Sequence, residues 1–125
     1  MPRILVVEDN EVNRDMLSRR MKRRGYEVIT TADGEQGYSL ALSEMPDLIL
    51  MDISLPEMDG WEVINLLKAK ESTRHIPIIV VTAHALVDDH TKALEAGCDG
   101  YHAKPIDFAR LTDNIDCLLQ KKTPA

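Results

Sequence analysis

The stretch Leu48-Ile-Leu-Met-Asp52 decides how the chain folds. Four consecutive apolar residues without polar alternation form a strand buried on both faces, as strands of parallel sheets are. Working outward, Ile4–Val7 and Ile78–Val81 are runs of the same kind. Tyr26–Thr31 instead mixes Glu and Thr with Val and Ile, as an edge strand does, and Asp99–Ala103 is the weakest strand and the second edge. Helical patterns separate them. Val12, Met16, Leu17 and Met21 recur at helical spacing before a stop at Gly25. A second helix opens at Asp33 or Gly34 and ends before Pro46, and a third spans Met58–Ala69. A fourth, Leu86–Ala96, has a poorly defined apolar stripe and closes at Gly97, whereas Phe108, Leu111, Ile115, Leu118 and Leu119 give the last helix a clear one. Five βα units imply an α/β fold, a single doubly wound (βα)5 domain with helices on both faces of a parallel sheet. With the two less apolar strands at the edges, the strand order is 2-1-3-4-5.

The chain has 125 residues, which suits one domain over 1–120 with a short tail at 121–125. Its net charge of −6 argues against a surface that neutralises nucleic-acid phosphates or anchors to an anionic membrane. No apolar run approaches the roughly 18 residues of a spanning helix, and the first residues lack the apolar core of a signal peptide. Cys98 and Cys117 have neither CxxC nor zinc-ligand spacing, which fits a reducing cytoplasm.

In an open parallel sheet, ligands bind beyond the carboxyl ends of the strands, where the strand order reverses. Here the first strand ends in Glu8-Asp9-Asn10, the third in Asp52 and the fourth in Thr82-Ala83, while the fifth leads into Lys104-Pro105. One carboxylate after a strand is commonly a helix N-cap. Three converging carboxylates need another explanation, because two like charges ~4 Å apart repel by roughly 4 kcal/mol at an effective dielectric of 20. A cation holds such a cluster, and oxygen ligands without His or Cys point to Mg2+, with Asp9 and Asp52 as direct ligands and Glu8 acting through water. An aspartate beside Mg2+ that faces Lys104 and Thr82 is suited to accept a phosphoryl group, with Asp52 as nucleophile.

At these residues the sequence resembles the receiver domains of two-component response regulators, over nearly its whole length. The matching pieces are Ile4-Leu-Val-Val-Glu-Asp-Asn10, Pro46-Asp-Leu-Ile-Leu-Met-Asp52, Leu55-Pro-Glu-Met-Asp-Gly60, Ile78-Ile-Val-Val-Thr-Ala83 and Ala103-Lys-Pro105. The resemblance implies a flavodoxin-like fold and a set of roles. Asp52 would be the phosphoacceptor, charged by a histidine kinase or a histidine phosphotransfer protein. Mg2+ would be held by Asp9, Asp52 and the Ser54 backbone carbonyl, beside Glu8. Lys104 would contact the phosphoryl group, and the bond to Pro105 is expected to be cis. Thr82 would be the switch hydroxyl and Tyr101 the aromatic that turns inward with it. Ser54 and His84 occupy the positions that tune dephosphorylation. A downstream protein would bind the face made by the fourth helix, fifth strand and fifth helix, and a monomer is expected, with a dimer through that face as the alternative.

Other folds and functions fit these residues less well. A flavodoxin needs a Ser/Thr/Gly-rich phosphate loop after the first strand, where this chain has Glu8 and Asp9. An aspartate-nucleophile phosphatase would carry DxD there. A phosphate-independent interaction domain would not need the complete residue set. The basic run Arg19, Arg20, Lys22, Arg23 and Arg24 is either a solvated helix end favoured by the helix dipole or a docking surface for an acidic partner. His75, His90 and His102 have no ligand spacing and read as surface or loop residues, and Trp61 reads as packing. The chain resembles both single-domain regulators of the DivK type and receivers of hybrid histidine kinases. Met1 directly before the first strand favours a stand-alone regulator.

Overall fold

The apolar runs become strands and the amphipathic stretches helices, in a computed structural model that describes residues 2–53, 60–82, 91, 95–103 and 106–122. The elements are β1 (Arg3–Val7), α1 (Glu11–Arg23), β2 (Glu27–Thr31), α2 (Gly34–Glu44), β3 (Leu48–Asp52), α3 (Gly60–Ala69), β4 (Ile78–Thr82), β5 (Gly100–Ala103) and α4 (Phe108–Lys122). All strand pairs are parallel, in the order β2-β1-β3-β4-β5. Most of the Leu86–Ala96 stretch lies outside the described residues. The C-terminal helix α4 runs on to Lys122, past the boundary expected at residue 120.

Strand side chains alternate between faces, so each continuous apolar run feeds two cores. Leu5, Val7, Ile49, Met51, Ile78 and Val80 pack with Ala41 of α2 and Val63, Ile64 and Leu67 of α3. Ile4, Val6, Leu48, Leu50 and Ile79 pack on the other face, with Leu17 and Met21 of α1 and Leu111, Ile115 and Leu119 of α4. Burying side chains of this kind contributes about 1.5–3 kcal/mol each, which is why β1, β3 and β4 sit at the centre of the sheet.

Local chemistry sets the helix ends. Asn10 caps α1, its side chain accepting from the Asn13 N–H at 3.0 Å. Asp33 caps α2 by accepting from the Gln36 N–H at 2.7 Å. Gly25 follows α1 with φ 90°, a conformation that glycine adopts without a steric penalty.

Val12 and Met16 recur at helical spacing but do not enter the core: they are 67% and 41% exposed. The buried face of α1 is Leu17, Ser18 and Met21, and Val12 and Met16 lie four residues apart on its flank. His102 is not a surface residue. It is buried on β5, with Nε2 3.1 Å from Asn114 Oδ1 on α4. Its register partner is Val81, so the β5 pleat turns it inward. His75 is exposed, and His90 lies outside the described residues.

Candidate metal and phosphoryl site

The register brings the strand ends together. Val7 pairs with Met51 and Asp52 with Val81, so the residues after β1 and the last residue of β3 emerge side by side. Glu8, Asp9 and Asp52 each offer a carboxylate oxygen within 4.8 Å of the others. Glu8 and Asp52 are almost fully buried, at 1% and 2% exposure, while Asp9 faces solvent. The Glu8 N–H donates to the Thr31 carbonyl at 3.1 Å, and Glu8 Oε2 accepts from the Asn10 N–H at 3.4 Å.

The donor set fits a hard divalent cation. It is all oxygen, and its spread is one that an ion with ligands at about 2.0–2.6 Å can span. Negative charge here also benefits from the N-terminus of α1, which starts immediately after it.

Thr82 ends β4 next to Asp52's strand and is fully buried. It pairs in register with Ala103 of β5. Tyr101 pairs with Val80 and packs partly buried against the α2–α3 core. Glu8, Asp9, Asp52 and Thr82 thus share the carboxyl edge of the sheet, with Tyr101 on its flank. Ser54, His84, Lys104 and Pro105 lie outside the described residues.

Two residues without an assigned role in the sequence stand out. At Gly60, a Cβ would come within 2.5 Å of the Ile53 Cα and 2.8 Å of the Asp52 carbonyl oxygen. Only glycine lets α3 begin against the strand end that carries Asp52. The second is Arg14, whose Nη1 donates to the Glu8 carbonyl at 2.9 Å and to the Asp9 carbonyl at 3.4 Å. The Gly60 motif was visible in the sequence but its packing was not, and a contact to backbone carbonyls leaves no sequence signal.

The basic run on α1 is partly satisfied within the molecule. Arg19 pairs with Asp15 at 3.1 Å, and Arg20 lies 4.0 Å from the centre of the Phe108 ring. Arg24 and Tyr26 both bond Asp116 of α4.

The response regulator receiver domain profile matches residues 4–116. The chain is a response regulator receiver domain. This receiver is 43% identical over 116 residues to the polar-differentiation response regulator DivK of Brucella ovis, a match covering 93% of this chain and 94% of that one. It also matches the receiver domain of a sensor histidine kinase from Pseudomonas aeruginosa, whose crystal structure has a magnesium ion coordinated in the active-site cleft. That match is 38% identical with a TM-score of 0.87, covering 95% of this chain and 98% of the other. A Francisella response regulator receiver domain shares the fold at TM-score 0.92 and 21% identity, over 98% of this chain and 100% of that one. Among the described residues, no helix of this receiver is long and apolar enough to cross a membrane.

Proposed function

We propose that this receiver is a phosphorylation-dependent switch in a two-component phosphorelay, with Asp52 as the phosphoacceptor. The observation that carries the reading is the convergence of Glu8, Asp9 and Asp52 at the carboxyl edge of the sheet. Their mutual repulsion is relieved by a divalent cation, and the Pseudomonas receiver is described with magnesium in its cleft. Asp9, Asp52 and the Ser54 carbonyl, with Glu8 alongside, would hold Mg2+, which would supply charge neutralisation for the incoming phosphoryl oxygens.

In the transfer, a carboxylate oxygen of Asp52 attacks the phosphorus of a phosphohistidine on a histidine kinase or histidine phosphotransfer protein. A P–O bond forms, the P–N bond breaks, and its electron pair returns to the imidazole. Lys104 and the Thr82 hydroxyl each take a phosphoryl oxygen, so positioning and charge supply most of the catalysis. Ser54 and His84 hold the positions that tune dephosphorylation in the family, and would set the phosphoryl lifetime here. The domain assists its own phosphorylation and dephosphorylation without turning over a separate metabolite.

Thr82 and Tyr101 carry the switch. Movement of Thr82 toward the phosphoryl group opens room for Tyr101, which lies on edge strand β5 next to it in the sheet. The altered surface around β5 and α4 then binds a downstream protein. On the donor side, exposed Val12 and Met16 with Lys22 and Arg23 of α1 offer an apolar strip and positive charge to an acidic-rimmed partner. The DivK relative is itself called a response regulator and is matched over nearly its whole length, which supports a signalling role.

Intact mass after incubation with Mg2+ and a small phosphodonor tests the reading. One phosphoryl adduct is expected on the wild type and none on Asp52→Asn. An adduct on the variant, or none on folded, Mg2+-bound wild type presented with a phosphorylated histidine protein, overturns it.

A further inference from the structure

Arg14 lies outside the set of residues assigned to phosphoryl chemistry, yet it is built into the turn that carries two of them. Its backbone N–H donates to the Asn10 carbonyl at 2.9 Å, in the first turn of α1. Its side chain then doubles back to bond the carbonyls of Glu8 at 2.9 Å and Asp9 at 3.4 Å. Asn10 closes the loop, donating its N–H to Glu8 Oε2 while its side chain caps α1. The turn 8–10 is therefore clamped to α1 from both ends.

The clamp matters most for Asp9. Glu8 is buried and held by its surroundings, whereas Asp9 is exposed. The direction of the Asp9 carboxylate follows from its backbone, and Arg14 bonds that backbone. We propose that Arg14 is a positioning residue for divalent-cation binding, holding the Glu8–Asp9 backbone so that the Asp9 carboxylate faces Asp52. This rests on the reading of the acidic cluster as a Mg2+ site.

Arg14 has two effects on a cation, and they have opposite signs. Its positive charge repels the ion, so removing the charge alone tightens binding. Its contact through Nη1 to two successive carbonyls preorganises the ligands, and loss of such supporting contacts typically costs about 10–100-fold in metal affinity. The contact is the larger effect here, because water screens the charge of a half-exposed guanidinium beside the exposed Asp9 carboxylate.

Calorimetric titration of the full chain with MgCl2 decides between them, beside melting temperatures in EDTA. Arg14→Met is expected to weaken Mg2+ binding about tenfold or more while the metal-free melting temperature changes little. Arg14→Lys keeps the charge on a shorter side chain with a more strongly hydrated head, and is expected to fall between the variant and the wild type. Wild-type or tighter affinity in folded Arg14→Met overturns the proposal. If Arg14→Met does not fold, wild-type affinity in Arg14→Lys overturns it instead. Absence of Mg2+ binding by the wild type overturns the cation-site reading itself, and this proposal with it.

Discussion

Glu8 and Asp52 are buried carboxylates beside a third, and without a cation their charges oppose one another at close range. Replacing Asp52 by Asn removes one of them and keeps the shape. Asp52→Asn is therefore expected to be more stable than the wild type by about 1–3 kcal/mol in EDTA. The difference should shrink when Mg2+ is added, as chemical denaturation in both buffers would show. A larger gap in Mg2+ than in EDTA would contradict the repulsion argument. The two cysteines provide a second check at this scale. Burial pushes the Cys98 thiol up to about 11, with Asp99 adding to the shift and Lys68 opposing it, whereas Cys117 is exposed on α4. A thiol reagent at pH 8 is expected to label Cys117 quickly and Cys98 only slowly, which peptide mapping by mass would resolve. Asp52 was legible in the sequence because a carboxylate directly after four buried apolar residues must sit at a strand end. Arg14 and His102 were not legible. One acts on backbone carbonyls, and the other is turned inward by a pleat register that a short, weakly patterned strand does not disclose.

The helices are held by different devices, and each responds to a different change. The buried face of α2 is Gly34, Gly37 and Ala41, and a Cβ at Gly37 would come within 2.8 Å of Val7 Cγ2. The C-terminal end of α3 is closed by Thr73, whose hydroxyl donates to the Leu67 carbonyl at 2.7 Å. Lys68 also donates to the Arg74 and Ile76 carbonyls, at 3.1 Å each. At the start of α3, Gly60→Ala places a methyl against backbone that cannot yield cheaply. It is expected to cost about 1–3 kcal/mol, read by urea denaturation, and to weaken Mg2+ binding because the strain falls on the Asp52 carbonyl. Tyr26 links β2 to α4 through Asp116, and burial first, then that hydrogen bond, pushes its phenol up to about 12. The unfolded chain ionises this phenol near pH 10, so between about pH 10 and 12 the unfolded state loses the proton first and stability falls as pH rises. Tyr26→Phe should flatten that part of the melting-temperature profile; an unchanged slope would remove Tyr26 as its source. Helix positions were readable from periodicity, but the exposure of Val12 and Met16 was not. Which flank of an amphipathic helix meets a sheet depends on the docking angle, and spacing alone does not set it.

Across the whole molecule, the strand order follows from how apolar each strand is. β1, β3 and β4 are covered on both faces and occupy the centre, while β2 and β5, with their Glu, Thr, Gly and His, close the edges. That gradient was visible in the sequence, and with it the edge of the sheet where chemistry belongs. The same order has a consequence for how the protein is made. All three carboxylates of the cluster, and the strands β1, β2 and β3 that hold them, lie within the first 52 residues. Chains emerge from the ribosome N-terminus first. The anionic half of the cleft is therefore synthesised before β4 and β5 exist, and Thr82 and Tyr101 join it only when those later strands add to the free side of β3. Vectorial synthesis thus delivers the carboxylate cluster before the strands that carry Thr82 and Tyr101.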